Sequence, residues 1–245
     1  MRDKILAYVK SQEQPFGGVV DIPHKPPSAI LTAGLIPTLI AHEERDFAQR
    51  CATYLVACQL GSGAWVNHHG EIKPFDIAYI GRHLNIAYTA FDDEFYEAAA
   101  DRAWDYLIGE GWGADPMKYV IDAAAVGGDY LVEYLTKHIE RTHNLMIVAE
   151  SMKARKQRKD RRVLIELAKR NIRPDGLLAL TTDGNGSDIA ATAMLGLLEP
   201  SMAKGLIQAI EPWVNADGSL PVIAGTTDKS AWVSKHVLDL YKAAE

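Results

Sequence analysis

Two cysteines are all that this chain of 245 residues contains, and none of its apolar runs approaches the roughly 20 residues needed to cross a bilayer. Cys51 and Cys58 stand seven apart in a helical pattern, about 10 Å by helical rise, which is too far for them to bond to each other. A disulfide framework is therefore excluded, and a reduced, cytoplasmic location is the expectation. The opening Met1-Arg2-Asp3-Lys4 lacks the long apolar segment of a secretory signal. No broad basic face is present either. The formal net charge is -6, so a nucleic-acid partner is not expected, and the one basic stretch, 153–162, reads as a solvated helix end. Long β-branched runs of the kind that build a parallel sheet are missing. The pairs Gly17-Gly18 and Gly61-Ser62-Gly63 lack the strand-loop-helix setting of a phosphate loop. There is no His-Glu-x-x-His helix and no EF-hand loop, so neither a metal nor a cofactor is expected.

What the chain does have is a recurring unit: an apolar helical run, a turn rich in Gly and Asp with a large apolar residue, then another helical run. The turns are legible at Gln12–Gly18, Gln59–Trp65, Arg173–Leu178 and Asn215–Pro221. Helical stripes follow at Ala29–Ile40, interrupted or kinked at Pro37, then at about Glu44–Leu60, Phe75–Ala90 and from an opening Asp92-Asp93-Glu94. Others are expected at Met117–Leu135, Met146–Met152, Val163–Leu167, Ile189–Leu198, from Pro200 or Ser201, and from Thr227-Asp228 to near Tyr241. Asp76, Asp122, Asp188 and Asp228 occupy comparable places near four helix starts. The expectation is an all-α fold, one repeat domain over residues 1–245, built from about five to six helical hairpins.

The Gln59–Trp65 turn and the Asp-Gly turns resemble degenerate versions of the glutamine, glycine and tryptophan turns of squalene-cyclase and protein-prenyltransferase repeats. That resemblance implies an α/α toroid, complete or partial, of inner and outer helices. It implies a terpenoid-cyclase-like enzyme, a cyclase, isomerase or lyase, acting by acid/base chemistry on a small apolar or isoprenoid-like molecule. Two departures stand against the finer match: no Asp-x-Asp-Asp sequence is present, and neither is the aspartate, cysteine and histidine zinc set of the prenyltransferases. Aromatic residues, at 8%, are fewer than a chamber for a polyene cation calls for. Glycan hydrolases and lyases use similar toroids, so a hydrolase or lyase with paired acidic residues is the alternative. A helical scaffold that binds a peptide without catalysis is the third.

The densest chemistry lies in Trp65–Asp76, where His68, His69 and Asp76 surround a turn before a helix; His83 and Arg82 follow about two turns further on. Asp183 and Asp188 bracket a second polar turn, with Asp188 readable either as a helix cap or as an acid/base group. The catalytic candidates are therefore Asp76, His68, His69, His83, Asp183 and Asp188. Trp65, Tyr79, Arg82 and Trp232 are the candidate substrate contacts, through stacking or charge, although the aromatics also serve as core plugs. A small-molecule substrate is the expected partner, and assembly of identical chains is left open.

Overall fold

The computed structural model describes residues 1–23, 25–67, 70–110, 146, 149, 158–181 and 184–245, with the side chains of 75, 158–161 and 163 excepted. Two compact units are present, Ala7–Pro116 and Met1–Leu6 with Met117–Glu245. The expected helices over 117–135 and most of 146–152 fall outside the described residues, as does Asp122.

Helices dominate both units: α1 Arg2–Ser11, α2 Ala29–Ala41, α3 Arg45–Cys58, α4 Pro74–Phe91, α5 Glu94–Gly109, α6 Arg158–Lys169, α7 Ile189–Leu198, α8 Ala203–Ile210 and α9 Ala231–Ala243. The strands among the described residues, β1 Leu178–Ala179 and β2 Ser187–Asp188, form one short antiparallel pair. None of the described helices is long and apolar enough to cross a membrane.

Composition sorts the helices into two kinds. α2 (AILTAGLIPTLIA) and α7 (IAATAMLGLL) carry no charge, and most of their residues are buried, as befits helices packed on more than one side. α3 and α5 are one-sided: Phe47, Cys51 and Leu55 bury one stripe of α3, while Ala99, Ala103 and Leu107 do so on α5. In the first unit α2 packs on α3 and on α4, and α4 on α5; in the second α7 packs on α8 and α9. Pro37 does not interrupt α2, which runs through it to Ala41.

The recurring turn has one geometry in all four copies. The backbone N–H of Gln14, Leu60, Arg173 and Asn215 donates to the carbonyl four residues on, and the glycine between them, Gly17, Gly63, Gly176 or Gly218, donates back. Those glycines have φ of 90°, 93°, 81° and 87°, the left-handed region that an L side chain rarely adopts. Each also sits against the helix of another hairpin. A Cβ on Gly17, Gly63 or Gly218 would overlap the carbonyl oxygen of Arg50, Arg102 or Lys4, and one on Gly176 would overlap Ala209. The side chain before the turn adds a second tie: Glu13 pairs with Arg50, and Gln59 accepts from Arg102 while donating to Ala99 O at 2.8 Å. The residue that leaves each turn, Val19, Trp65, Leu178 or Leu220, is buried.

Gly61, Gly70 and Gly63 separate strain from overlap. Gly70 has φ of 78° with open space around it, whereas Gly61 has neither a positive φ nor a neighbour. Gly61→Ala is expected to leave stability within about 0.5 kcal/mol, Gly70→Ala to cost about 1–2 kcal/mol, and Gly63→Ala to cost more than either. Urea denaturation of the three variants tests that order; equal midpoints would refute the packing role of the turn.

Helix starts follow one plan in α2, α7 and α9. Ser28, Asp188 and Ser230 are the N-caps, accepting from Leu31 N, Ala191 N and Val233 N. Thr32 and Thr192, four residues past their caps, accept from Val19 N and Leu178 N and so tie turn to helix. The equivalence of Asp76, Asp188 and Asp228 does not hold. Asp76 is the third residue of α4, whose cap is Lys73, and Asp228 lies two residues before the Ser230 cap, because a hydroxyl there already satisfies the first turn.

Asp217 is held by the turn. It accepts from Ser219 N and Oγ and pairs with Lys229, and those bonds, Lys229 first, hold its carboxyl at about 2, below the ordinary 3.8. A depressed carboxylate contributes stability that is present above pH 4 and lost as the pH falls toward 2. With the side chain 44% exposed, solvent screening keeps the contribution modest. Asp217→Asn is expected to narrow the stability gap between pH 6 and pH 2 in urea titrations; an unchanged gap would show that Asp217 is not linked to folding.

Candidate functional site

On α4, Asp76, Tyr79 and His83 follow at spacings of three and four, one stripe of the helix surface. The opposite side is committed to α5, where Gly81 permits approach to within 3.3 Å between the position of a Cβ and Ala103. Asp76 and His83 are both buried, 7% and 8% exposed. The imidazole of His83 lies on the Tyr79 ring, centroids 4.2 Å apart and planes tilted by 36°, and its Nδ1 is 2.7 Å from the Tyr79 carbonyl. A carbonyl only accepts, so Nδ1 carries the proton in the neutral ring, and Nε2 becomes the proton-accepting nitrogen. Asp76 and His83 are about 10 Å apart along the helix axis by rise, a spacing that suits two different atoms of one bound molecule better than a direct pair.

A groove of about 520 Å³ runs beside this stripe, between the C-terminal halves of α2 and α4. Pro37 and Ile40 of α2 face Arg82, Asn85, Ile86 and Thr89 of α4 across it. Ile86 and Ala90, which line the groove, share a helical stripe with Tyr79 and His83, which do not line it. Arg82 is exposed, whereas Ile86 and Asn85 are half-buried. His68 and His69 lie outside the described residues. Their flanking residues, Asn67 and Gly70, close a turn in which Asn67 accepts from Glu71 N. Trp65 is 1% exposed, and its indole N–H donates to Leu55 O at 2.8 Å, so it sits in the core of its unit.

In the second unit Asp183 is outside the described residues. Asp188 is buried in β2, its Oδ1 accepting from Ala191 N at 2.8 Å as the cap of α7. One of its oxygens is thus engaged by the helix start. Ser187 beside it donates to Asp175, the aspartate of the neighbouring turn, at 2.7 Å. Trp232 on α9 is half-buried, with His236 edge-on to it at 4.9 Å and the Lys235 ammonium 5.9 Å from its ring centre. Lys235 pairs with Asp239 at 2.9 Å. His236, Lys235 and Asp239 are the polar residues that the sequence reading passed over. The available signal was two interleaved pairs four residues apart, Trp232 with His236 and Lys235 with Asp239, on one short helix.

Cys58 is exposed at the end of α3, whereas Cys51 is buried and desolvation pushes its thiol up, away from nucleophilic ionisation. Among the described residues no three His, Cys, Asp or Glu side chains converge in a way that would hold a metal.

No protein-family model matches the chain, and no curated protein does. Solved structures do. The chain is similar to a protein from Actinoplanes, at 14% identity over 100% of this chain and 98% of that one, with a TM-score of 0.68. It is similar to a novel α-amylase from Clostridium perfringens, at 11% identity over 100% and 98% of the two chains, TM-score 0.67. A glycosidase variant in complex with glucose matches at 11% identity over 99% and 95%, TM-score 0.58. At such identities the likeness is one of fold: this chain has the helical fold of those proteins.

Proposed function

We infer that the chain is a carbohydrate-active enzyme that moves protons on a sugar lying along α4. One observation carries the reading: a buried imidazole, fixed by its Tyr79 stack and its bond to a backbone carbonyl, on the same helix stripe as the wall of a sugar-sized groove. A base so held suits removal of a proton from a carbon next to a sugar carbonyl, with Nε2 of His83 as acceptor and Asp76, two turns away, serving an oxygen of the same ring or chain. Sugar isomerisation or epimerisation is the reaction class. The helical α-amylase and glycosidase structures support carbohydrate as the substrate class over an isoprenoid. They also favour a second reading, glycoside hydrolysis, for which Asp76 would be one of the two carboxylates required.

The fold reading that accompanies this is an α/α toroid of helical hairpins. Its support is the turn geometry: each turn packs its glycine on the helix of another hairpin, and the turn after α8 does so on Lys4 of α1.

The purified protein incubated in D2O with a panel of aldoses and ketoses, and separately with oligosaccharides, separates the reactions. Isomerisation or epimerisation is expected to place solvent deuterium on the carbon next to the carbonyl, seen by NMR. Release of reducing ends without deuterium would select hydrolysis instead. Inertness toward every sugar would overturn the carbohydrate reading and leave the peptide-binding scaffold.

A further inference from the structure

The groove on α4 contains one charge, and that charge is positive. Arg82 is exposed at its edge, and among the described residues it makes no ion pair or hydrogen bond. Its helix neighbours three and four residues away are Ala78, Tyr79, Asn85 and Ile86, none of them acidic; the nearest acid on α4, Asp76, is six residues back, about 9 Å by rise. Several exposed cations are matched, Arg2 with Glu245, Lys10 with Glu44, Arg50 with Glu13, Lys169 with Glu166 and Lys242 with Glu245, and Arg82 differs from exposed cations such as Lys4, Lys25 and Lys204, which also lack a partner among the described residues, in lining a groove. In a chain of net charge -6 an uncompensated guanidinium at a groove is a local feature and not a sample of a basic surface. The groove therefore has a neutral floor and one unmatched cation at its rim.

A guanidinium is planar, permanently charged and equipped with a fork of N–H donors that fits a carboxylate or phosphate through two bonds. The side-chain amide of Asn85, one turn further along, makes no hydrogen bond among the described residues, so it is open to sugar hydroxyls. Thr89 donates to the Asn85 carbonyl and so offers only its oxygen as acceptor. Pro37, Ile40 and Ile86 supply the apolar face on which the C–H side of a sugar ring packs.

We propose that the substrate of the groove is an anionic sugar, a sugar carboxylate or sugar phosphate, whose charged group is held by Arg82 while its hydroxyls meet Asn85. The proposal rests on the carbohydrate reading given above.

Titration calorimetry of the full chain with glucose, glucuronate, glucose 6-phosphate and inorganic phosphate tests it, with Arg82→Gln and Arg82→Lys alongside. Because Arg82 is exposed, both variants are expected to keep the thermal midpoint of the parent. One of the two charged sugars is expected to bind at least about tenfold more tightly than glucose. Arg82→Gln should erase that preference, and Arg82→Lys should keep part of it. Glucuronate against glucose 6-phosphate decides between carboxylate and phosphate. Equal affinity for glucose and both charged sugars, or a preference that survives in Arg82→Gln, overturns the anion selection while leaving the carbohydrate reading intact. Phosphate binding that depends on Arg82, with no sugar bound, overturns the carbohydrate reading and the sugar part of the proposal together. No binding of any probe overturns both.

Discussion

His83→Asn is expected to lower sugar turnover by about 10²- to 10⁴-fold, the usual contribution of a positioned general base. Asparagine is the informative replacement because its amide nitrogen can take over the bond that Nδ1 makes to the Tyr79 carbonyl, while the nitrogen corresponding to Nε2 is lost. The fold should therefore survive, and the loss should fall on kcat with little change in KM, since a proton acceptor acts in the transition state and contributes little to ground-state binding. A side chain that serves only the packing of α4 predicts the reverse, a lower melting temperature with near-normal turnover. Tyr79→Leu supplies a second check, because it removes the ring that fixes the imidazole plane at 36° but leaves the backbone carbonyl in place. It is expected to give an intermediate loss. Normal turnover in both variants would end the assignment of His83 as the proton acceptor.

Trp65→Ala is expected to destabilise the protein by about 3–5 kcal/mol, the range for deleting a buried large aromatic. Two physical terms contribute. The side chain is almost wholly buried, so its removal leaves a cavity behind the Gln59–Trp65 turn, and its indole N–H satisfies the Leu55 carbonyl. Leu55 lies in the last turn of α3, where carbonyls have no partner within the helix. Trp65→Phe separates the terms: it keeps most of the volume but leaves that carbonyl without its donor, a cost of about 1–3 kcal/mol. Chemical denaturation measures both. If Trp65 acted as a sugar platform, Trp65→Phe would change ligand affinity and leave the denaturation midpoint where it is.

The turns show why part of this protein is legible in one dimension. Gly17, Gly63, Gly176 and Gly218 adopt positive φ in the same hydrogen-bonded turn, a local requirement that only glycine meets without strain, so the pattern survives in sequence although the residues around it vary. Caps are nearly as local. Asp188 at α7 was readable because its carboxylate meets a backbone N–H three residues on. Asp228 illustrates the limit: an aspartate two residues from a helix start looks like a cap until Ser230 is seen to occupy the position.

The candidate site divides in the same way. Asp76, Arg82 and His83 were named from their spacing on a helix, which a period of 3.6 residues predicts. The stacking of His83 on Tyr79 also follows from that spacing. The groove does not, because Pro37 and Ile40 come from α2, more than 40 residues earlier in the chain, and only the packing of α2 against α4 brings them opposite Arg82. On α9 the sequence singles out Trp232 but not Lys235, His236 and Asp239, because a Lys, a His and an Asp on a terminal helix look like an ordinary amphipathic face. Their burial comes from neighbours that the local pattern does not name.

By itself, then, the amino-acid sequence determined the helices, the glycines that end them and the turn they share, since each depends on backbone geometry and contacts within a few residues. Tertiary structure alone decided which side chain is core and which is wall. It placed Trp65 inside its unit and left Arg82 at a groove, because burial is a property of what packs against a side chain, and that is fixed by contacts between helices far apart in the chain.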